Sequence, residues 1–188
     1  MTYRIIRQWP DQCLKNENHK VSNLEGEDIL IQDLIDTCNI EMGVGLAAPQ
    51  IGINKKVVVL RPKSLGIDNP DPSVKNPDFM VLINPELHNT GDQIKWTESC
   101  LSLRGVTGKV SRYTETMISY LNDAGEEKKL IAEWPLSGAI QHECDHLEGK
   151  LFVDRMKKGT KMYLLQKVRK KRKKEARLRK KALKGDKK

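Results

Sequence analysis

Apolar residues at Ile29, Leu34, Ile35, Cys38 and Met42 recur close to the helical period and predict an amphipathic helix from about Glu25 to Glu41. A second helical stripe starts after Pro135, with Ile140, Cys144, Leu147 and Leu151 on one side and Gly149 weakening its last turn. Other segments follow strand patterns. The β-branched run Lys56 to Leu60 predicts a buried strand, and Phe79 to Asn84 predicts another, ended by Pro85. Thr116–Asn122 and Lys128–Ala132 flank Asp123-Ala124-Gly125-Glu126, which signals a hairpin. Met1 to Trp9 is expected as a short strand or an extended arm, stopped by Pro10. Three glycines and a proline between Gly43 and Gly52 exclude a regular helix or central strand there. Four prolines between Arg61 and Asp78 predict an irregular loop, and the stretch around Cys100 is loop-like as well. Short strands with two helices and no internal repeat predict an α+β fold rather than alternating β-α units.

Composition narrows the class. The chain has 188 residues, 38% of them hydrophobic, which suits one domain, or one domain with a tail. No stretch approaches the roughly 18 consecutive apolar residues of a membrane span. The segment Met1-Thr2-Tyr3-Arg4-Ile5-Ile6-Arg7 runs directly into charge and has no secretory apolar region, so a cytoplasmic protein without membrane partners is expected. The four cysteines, at 13, 38, 100 and 144, form no C-x-x-C and are expected as reduced thiols.

Charge changes the picture further. The formal net charge is +9, yet eighteen of the 34 Lys and Arg residues fall between Arg155 and Lys188, against two acids, Glu175 and Asp186. A mildly acidic body therefore carries a strongly basic C-terminal extension, the usual mark of an interaction tail or of a solvated one. Met162, Leu165 and Val168 keep an apolar spacing, and neither glycine nor proline interrupts Lys161 to Lys184. A helix is expected whose first turns dock on the body. With aromatics nearly absent, it suits phosphate contact rather than base stacking.

The sharpest chemical signal is His142-Glu143-Cys144-Asp145-His146. Residues four apart share a helix face, so both imidazoles can reach one metal ion, while Glu143 leans over the open coordination position as a general base. Taken alone, such a pair also occurs as an idle surface motif. A third ligand is required. The extended metalloprotease pattern places a third His six residues after the second, where this chain has Phe152, so that reading fails. Cys100 is a candidate, because a thiolate with two imidazoles suits zinc or ferrous iron; a buried core thiol is the alternative. A ligating His also needs an outer acceptor, for which Asp145 and Glu98 are candidates.

Three segments together resemble the signature motifs of peptide deformylases: Gly43-Val44-Gly45-Leu46-Ala47-Ala48-Pro49-Gln50, Glu98-Ser99-Cys100-Leu101-Ser102 and Gln141-His142-Glu143-Cys144-Asp145-His146. Leu82-Ile83-Asn84-Pro85-Glu86 and Leu147 to Asp154 add to the likeness, which spans roughly Arg4 to Met156. The resemblance implies antiparallel β-sheets packed around a central helix carrying the His pair, within a catalytic domain at 1–156, followed by a basic helical extension at 157–188. It implies removal of the formyl group from the N-terminal methionine of nascent polypeptides. Cys100, His142 and His146 are implied as ligands of Fe2+, which Zn2+, Ni2+ or Co2+ can replace, with a water completing the set. Glu143 is implied as general base and then acid, and Gln50 with the Leu101 backbone N–H as oxyanion donors. Gly45, through backbone hydrogen bonds, and Glu98 are implied to bind the substrate, with Val44 and Ala139. Val44, Trp96, Pro135 and Ala139 fall near the methionine pocket, although by default each suits a core.

The chain departs from the family pattern at Ser99, where glycine is usual, at Arg104, where proline is common, and at Thr107, where an arginine pairs with the motif glutamate. Arg104 or Lys109 is expected to supply that charge. The tail resembles the helix by which bacterial deformylases bind the ribosome, which implies an rRNA partner, and a monomer is expected. A metallo-amidase of other specificity and a non-enzymatic RNA-binding protein on the same scaffold are the competing readings. The second of these is weakened because Gln50, Cys100, His142, Glu143 and His146 are all present.

Overall fold

A computed structural model describes residues 2–71 and 75–185 of the chain, the last seven of these as helix backbone. Its order of main elements is α1 (Glu27–Ile40), β1 (Gly45–Ala47), β2 (Val57–Leu60), β3 (Met80–Glu98), β4 (Gly108–Leu121), β5 (Glu127–Glu133), α2 (Leu136–Leu147) and α3 (Lys158–Gly185). The five strands form one antiparallel sheet in the order β1-β2-β3-β4-β5, so the expected α+β class holds, with a single sheet.

The short strand β2 is buried at every position. Val57 and Val59 face a cluster with Leu30, Leu34, Ile35 and Cys38 of α1, whereas Val58 and Leu60 face Leu136, Ile140, Cys144 and Leu147 of α2. Both faces are covered by helices, which explains why the strand is continuously apolar rather than alternating. The amide of Gln141 fixes α2 against β4: its Nε2 donates to the Tyr113 carbonyl at 2.8 Å, and its Oε1 accepts from the Tyr113 N–H at 3.0 Å. A third cluster joins Leu164 and Val168 of α3 to Cys100, Leu103, Val106, Leu151 and Phe152. The expected helical tail therefore docks by its first turns, and beneath it lies the segment carrying Cys100.

Several expectations need correction. Pro85 does not end a strand: β3 continues for 19 residues through it. The ladder with β4 shifts register between Ile83 and Glu86, and Asn84 adopts φ 51°. The irregularity absorbs the missing proline N–H, which is how a proline is tolerated inside a sheet. β4 begins at Gly108, eight residues before the predicted start, and β3 runs through Trp96 to Glu98, just short of the loop-like stretch that holds Cys100. Gly149 lies beyond α2, with φ 65°, and follows the helix rather than weakening it. Of the two forms expected for the N-terminal segment, the described residues adopt the extended arm. Its Arg4, Arg7 and Trp9 N–H groups donate to Thr37 Oγ1, the Gln50 carbonyl and the Ser102 carbonyl. No described helix is long and apolar enough to cross a membrane.

Candidate metal centre

Helix α2 places His142 and His146 one turn apart on its buried side, their rings 5.3 Å apart and nearly perpendicular. The turn that follows β3 brings Cys100 to them. Its Sγ lies 3.3 Å from His146 Nε2, and one ligand atom from each of the three residues falls within 4.8 Å of the others. An ion with bonds of about 2.3 Å to sulfur and about 2.0 Å to nitrogen separates neighbouring tetrahedral ligands by about 3.5 Å, so the triad fits a small divalent metal. The His146 Nδ1 and Glu143 Oε2 atoms are buried and make no hydrogen bond within the described residues. Phe152, the position where a third histidine is absent, stacks its ring on His142 at 6.4 Å.

Behind the ligands lies a buried ionic chain. His142 Nδ1 sits 2.6 Å from Glu98 Oε2, which fixes the ring and leaves Nε2 for the metal. Arg112 grips both oxygens of Glu98, with Nε at 2.6 Å from Oε1 and Nη2 at 3.0 Å from Oε2. Its Nη1 reaches Asp145 Oδ2 at 2.8 Å, and Arg155 closes on the same carboxylate. The expected partners of Glu98 are thus corrected. Arg104 pairs instead with Glu41, and Arg112 supplies the charge. Of the two proposed outer acceptors, Glu98 holds a ligand histidine, while Asp145 serves the arginines.

Sequence reasoning passed over Arg112, although a signal was available. Val110, Arg112, Thr116 and Ile118 are buried at even positions along β4, so the period-two pattern already turns Arg112 inward. An inward arginine demands carboxylate partners.

These contacts set the electrostatics. Burial pushes the Glu98 carboxyl up, but the hydrogen bonds from Arg112 and His142 outweigh it and hold the group down to about 2. Glu143 has no such donors, and burial first of all raises its carboxyl to about 7. Burial keeps His146 well below its ordinary value, with the charges of His142 and Arg112 adding to the effect, so it stands as a neutral ligand.

The triad opens on a cavity of about 530 Å³. Val44, Gly45, Gln50, Glu98, Leu101, Ala139 and Glu143 all line it, as do Trp96 and Pro135. The site residues anticipated from the sequence therefore share one cavity, apart from His146, which lies just behind it. Sequence reasoning did not anticipate Leu65, Trp134 and Gly138 in the wall. Gln50 is fully enclosed: its Oε1 accepts from the Ala47 N–H at 2.8 Å, and its Nε2 points at Ser102 Oγ, 3.2 Å away, and Cys100 Sγ, 3.6 Å away. Gly45 is required by close approach. A Cβ there would fall 2.8 Å from both Glu143 Cγ and Leu60 Cδ2. Both carboxylate oxygens of Glu98 are engaged by Arg112 and His142.

Comparison with known proteins gives one answer. A sequence profile described as polypeptide deformylase matches residues 3–162. The peptide deformylase of Natranaerobius thermophilus is 40% identical over 157 residues, covering 82% of this chain and 93% of that protein. The peptide deformylase of Aquifex aeolicus is 38% identical over 168 residues, covering 89% and 95%. Among solved structures, a peptide deformylase from Legionella pneumophila superposes with a TM-score of 0.80 at 31% identity, covering 94% of this chain and 99% of that one. A peptide deformylase from Synechococcus elongatus in complex with actinonin gives a TM-score of 0.75 at 33% identity, covering 89% and 85%.

Proposed function

The chain belongs to the polypeptide deformylase family, a family of metal-dependent hydrolases, and from that membership we propose that it removes the N-formyl group from the formyl-methionine that opens newly made polypeptides. The observation that carries the reading is the convergence of Cys100, His142 and His146 on one cavity with Glu143 and Gln50 beside them. An ion held by the triad supplies Lewis acidity and lowers the pKa of water; the proposed ion is Fe2+, with Zn2+, Ni2+ or Co2+ as substitutes.

Glu143, in the cavity beside the ligands, takes the proton from the attacking water and returns it to the leaving amine. The Gln50 amide and the Leu101 backbone N–H stabilise the oxygen that becomes negative at the formyl carbon. The Gly45 backbone, free of a side chain, aligns the peptide, with Glu98 beside it holding His142. Val44, Trp96, Pro135 and Ala139 form the wall for the methionine side chain. Residues 1–156 form the catalytic domain, and 157–188 form a basic extension whose charge suits ribosomal RNA phosphates. The protein acts as a monomer in the cytoplasm, where nascent chains are made.

The test is formate release from formyl-Met-Ala-Ser by anaerobically purified, metal-loaded protein. Wild type turns over, Cys100→Ala loses the metal, and Glu143→Ala keeps the metal and loses turnover. Undiminished turnover in Glu143→Ala overturns the assigned base. No turnover by metal-loaded wild type overturns the activity.

A further inference from the structure

The rim of the cavity carries charge that the hydrolytic reading does not use. Leu103 is buried in the cluster beneath α3, so the tight turn from the Leu103 N–H to the Cys100 carbonyl throws the next residue, Arg104, outward onto the lip of the cavity. Arg104 is half exposed. Its Nη2 lies 2.6 Å from Glu41 Oε2, and its Nε donates weakly to the Leu101 carbonyl at 3.4 Å. Nη1 has no acceptor within the described residues.

Glu41 is less available. Its side chain is 16% exposed, and its other oxygen, Oε1, accepts from the Tyr3 hydroxyl at 2.8 Å. The remaining carboxylates of the cavity are Glu98, saturated by Arg112 and His142, and Glu143, deep beside the ligands. A second cation arrives from α3. A Cβ on Gly105, another residue of the cavity wall with φ 84°, would fall 2.6 Å from Lys171 Nζ, so the ammonium rests against the backbone of the lip. The docking that places it there is fixed nearby. Arg169 stacks over the Trp9 ring at 5.0 Å, and Arg172 donates to the Trp9 carbonyl, while the Trp9 N–H donates to Ser102.

The lip therefore carries two cations, Arg104 and Lys171, against one carboxylate, Glu41, which pairs with Arg104 Nη2 and accepts from Tyr3; this leaves an excess of one positive charge and the Nη1 edge of Arg104 open. The apolar wall formed by Trp96, Trp134 and Ala139 comes from other elements and has no such charge. We propose that Arg104, supported by Lys171, is a specificity-determining group that favours formyl-methionyl peptides bearing an acidic side chain at the second or third position. The proposal rests on the deformylase reading and deepens it. An acidic side chain leaving the apolar wall meets the unengaged face of the guanidinium, while a basic one meets two like charges. The contact is partly solvated, so it acts as an exposed ion pair and weakens with salt.

The test compares C-terminally amidated formyl-Met-Ala-Asp with formyl-Met-Ala-Asn, and formyl-Met-Asp-Ala with formyl-Met-Asn-Ala, by kcat/KM. The amide removes the terminal carboxylate, and Asn keeps the shape of Asp. The expected Asp/Asn ratio is about two- to fivefold at low ionic strength in at least one pair, falling towards unity at high salt. Arg104→Gln brings the ratio to about one, Arg104→Glu inverts it, and Lys171→Gln lowers it. Should an Arg104 variant fail to fold, the salt dependence of the wild-type ratio and the Lys171→Gln ratio still decide. A wild-type ratio at or below one overturns the proposal. So does a preference untouched by Arg104→Gln, Lys171→Gln and salt. If the ratios fail while all four peptides are turned over, the deformylase reading stands without this one; if no formyl peptide is turned over, both fall.

Discussion

Replacing Arg112 by methionine keeps most of the side chain's bulk and removes its charge. In the native protein this guanidinium is 2% exposed and makes three hydrogen bonds to two carboxylates that are themselves buried, at 2.6 and 3.0 Å to Glu98 and 2.8 Å to Asp145. Removing one partner of a buried ion pair costs about 3–5 kcal/mol, because an uncompensated charge is left behind. Burial alone would raise the Glu98 carboxyl; the hydrogen bonds from Arg112 and His142 together hold it down to about 2, so losing Arg112 leaves the carboxylate under-compensated. Asp145 keeps Arg155, so the loss falls mainly on Glu98 and, through it, on His142.

Urea unfolding of the metal-loaded protein should show a loss of about 3–5 kcal/mol, and thermal unfolding a fall of about 6–20 °C for a chain of this length. Arg112→Lys should not restore it, because an ammonium cannot grip both oxygens in a fork. The pH dependence has a definite sign. A carboxylate with a depressed native pKa contributes stability that is present above its unfolded value and is lost as pH falls through the native one. The gap between wild type and Arg112→Met should therefore be full above about pH 4.5 and narrow towards about pH 2. Lys63→Met is the control. Its pair with Asp78 is equally short, at 2.7 Å, but both side chains are more than half exposed, so at most about 1 kcal/mol is expected. An Arg112→Met loss no larger than that of the control would refute the reasoning.

Gly45→Ala inserts a methyl group where Glu143 Cγ now lies 2.8 Å away, so turnover should fall about 10- to 100-fold with metal content retained; wild-type turnover would mean the contact relaxes freely. In the metal-free protein the Glu143 carboxyl, raised by burial, favours folding in its protonated form. Its contribution is complete below about pH 4.5 and lost as pH rises through about 7, so Glu143→Gln should gain stability on wild type across that window; parallel pH curves in urea unfolding would count against it. Truncation before Lys158 removes the buried Leu164 and Val168 and should cost about 3–6 kcal/mol, whereas truncation after Lys174 should stay within about 0.5 kcal/mol; equal effects of the two cuts in thermal unfolding would show that the docked turns do not hold the body.

Much of this architecture is legible along the chain because it depends on local periodicity. The apolar stripe of α2, the β-branched run of β2, the turn residues before β5 and the Leu34, Ile35 and Cys38 part of the α1 stripe each express a preference satisfied within a few residues, whereas Ile29 and Met42 of that stripe lie exposed. The long strand β3 is different. Pro85 is a stop signal by any local rule, and only pairing with β4 on both sides of the irregularity carries the strand past it. Arg112 fails for a related reason. Its inward register is visible in the alternation of β4, but its tolerance in the core depends on Glu98 and Asp145, brought in from β3 and α2.

The sequence by itself determined the helix that carries His142 and His146 on one face, with Glu143 beside them, since a four-residue spacing fixes that geometry wherever an α-helix forms. It also determined the separation of an acidic body from a basic extension. The tertiary structure decided which thiol joins the two imidazoles, which arginine neutralises Glu98, and that α3 lays Lys171 against the lip of the cavity. The first set of properties follows from backbone geometry over a single turn. The second requires segments far apart in the chain to meet where water is excluded, and there a charge persists only if its partner arrives with it.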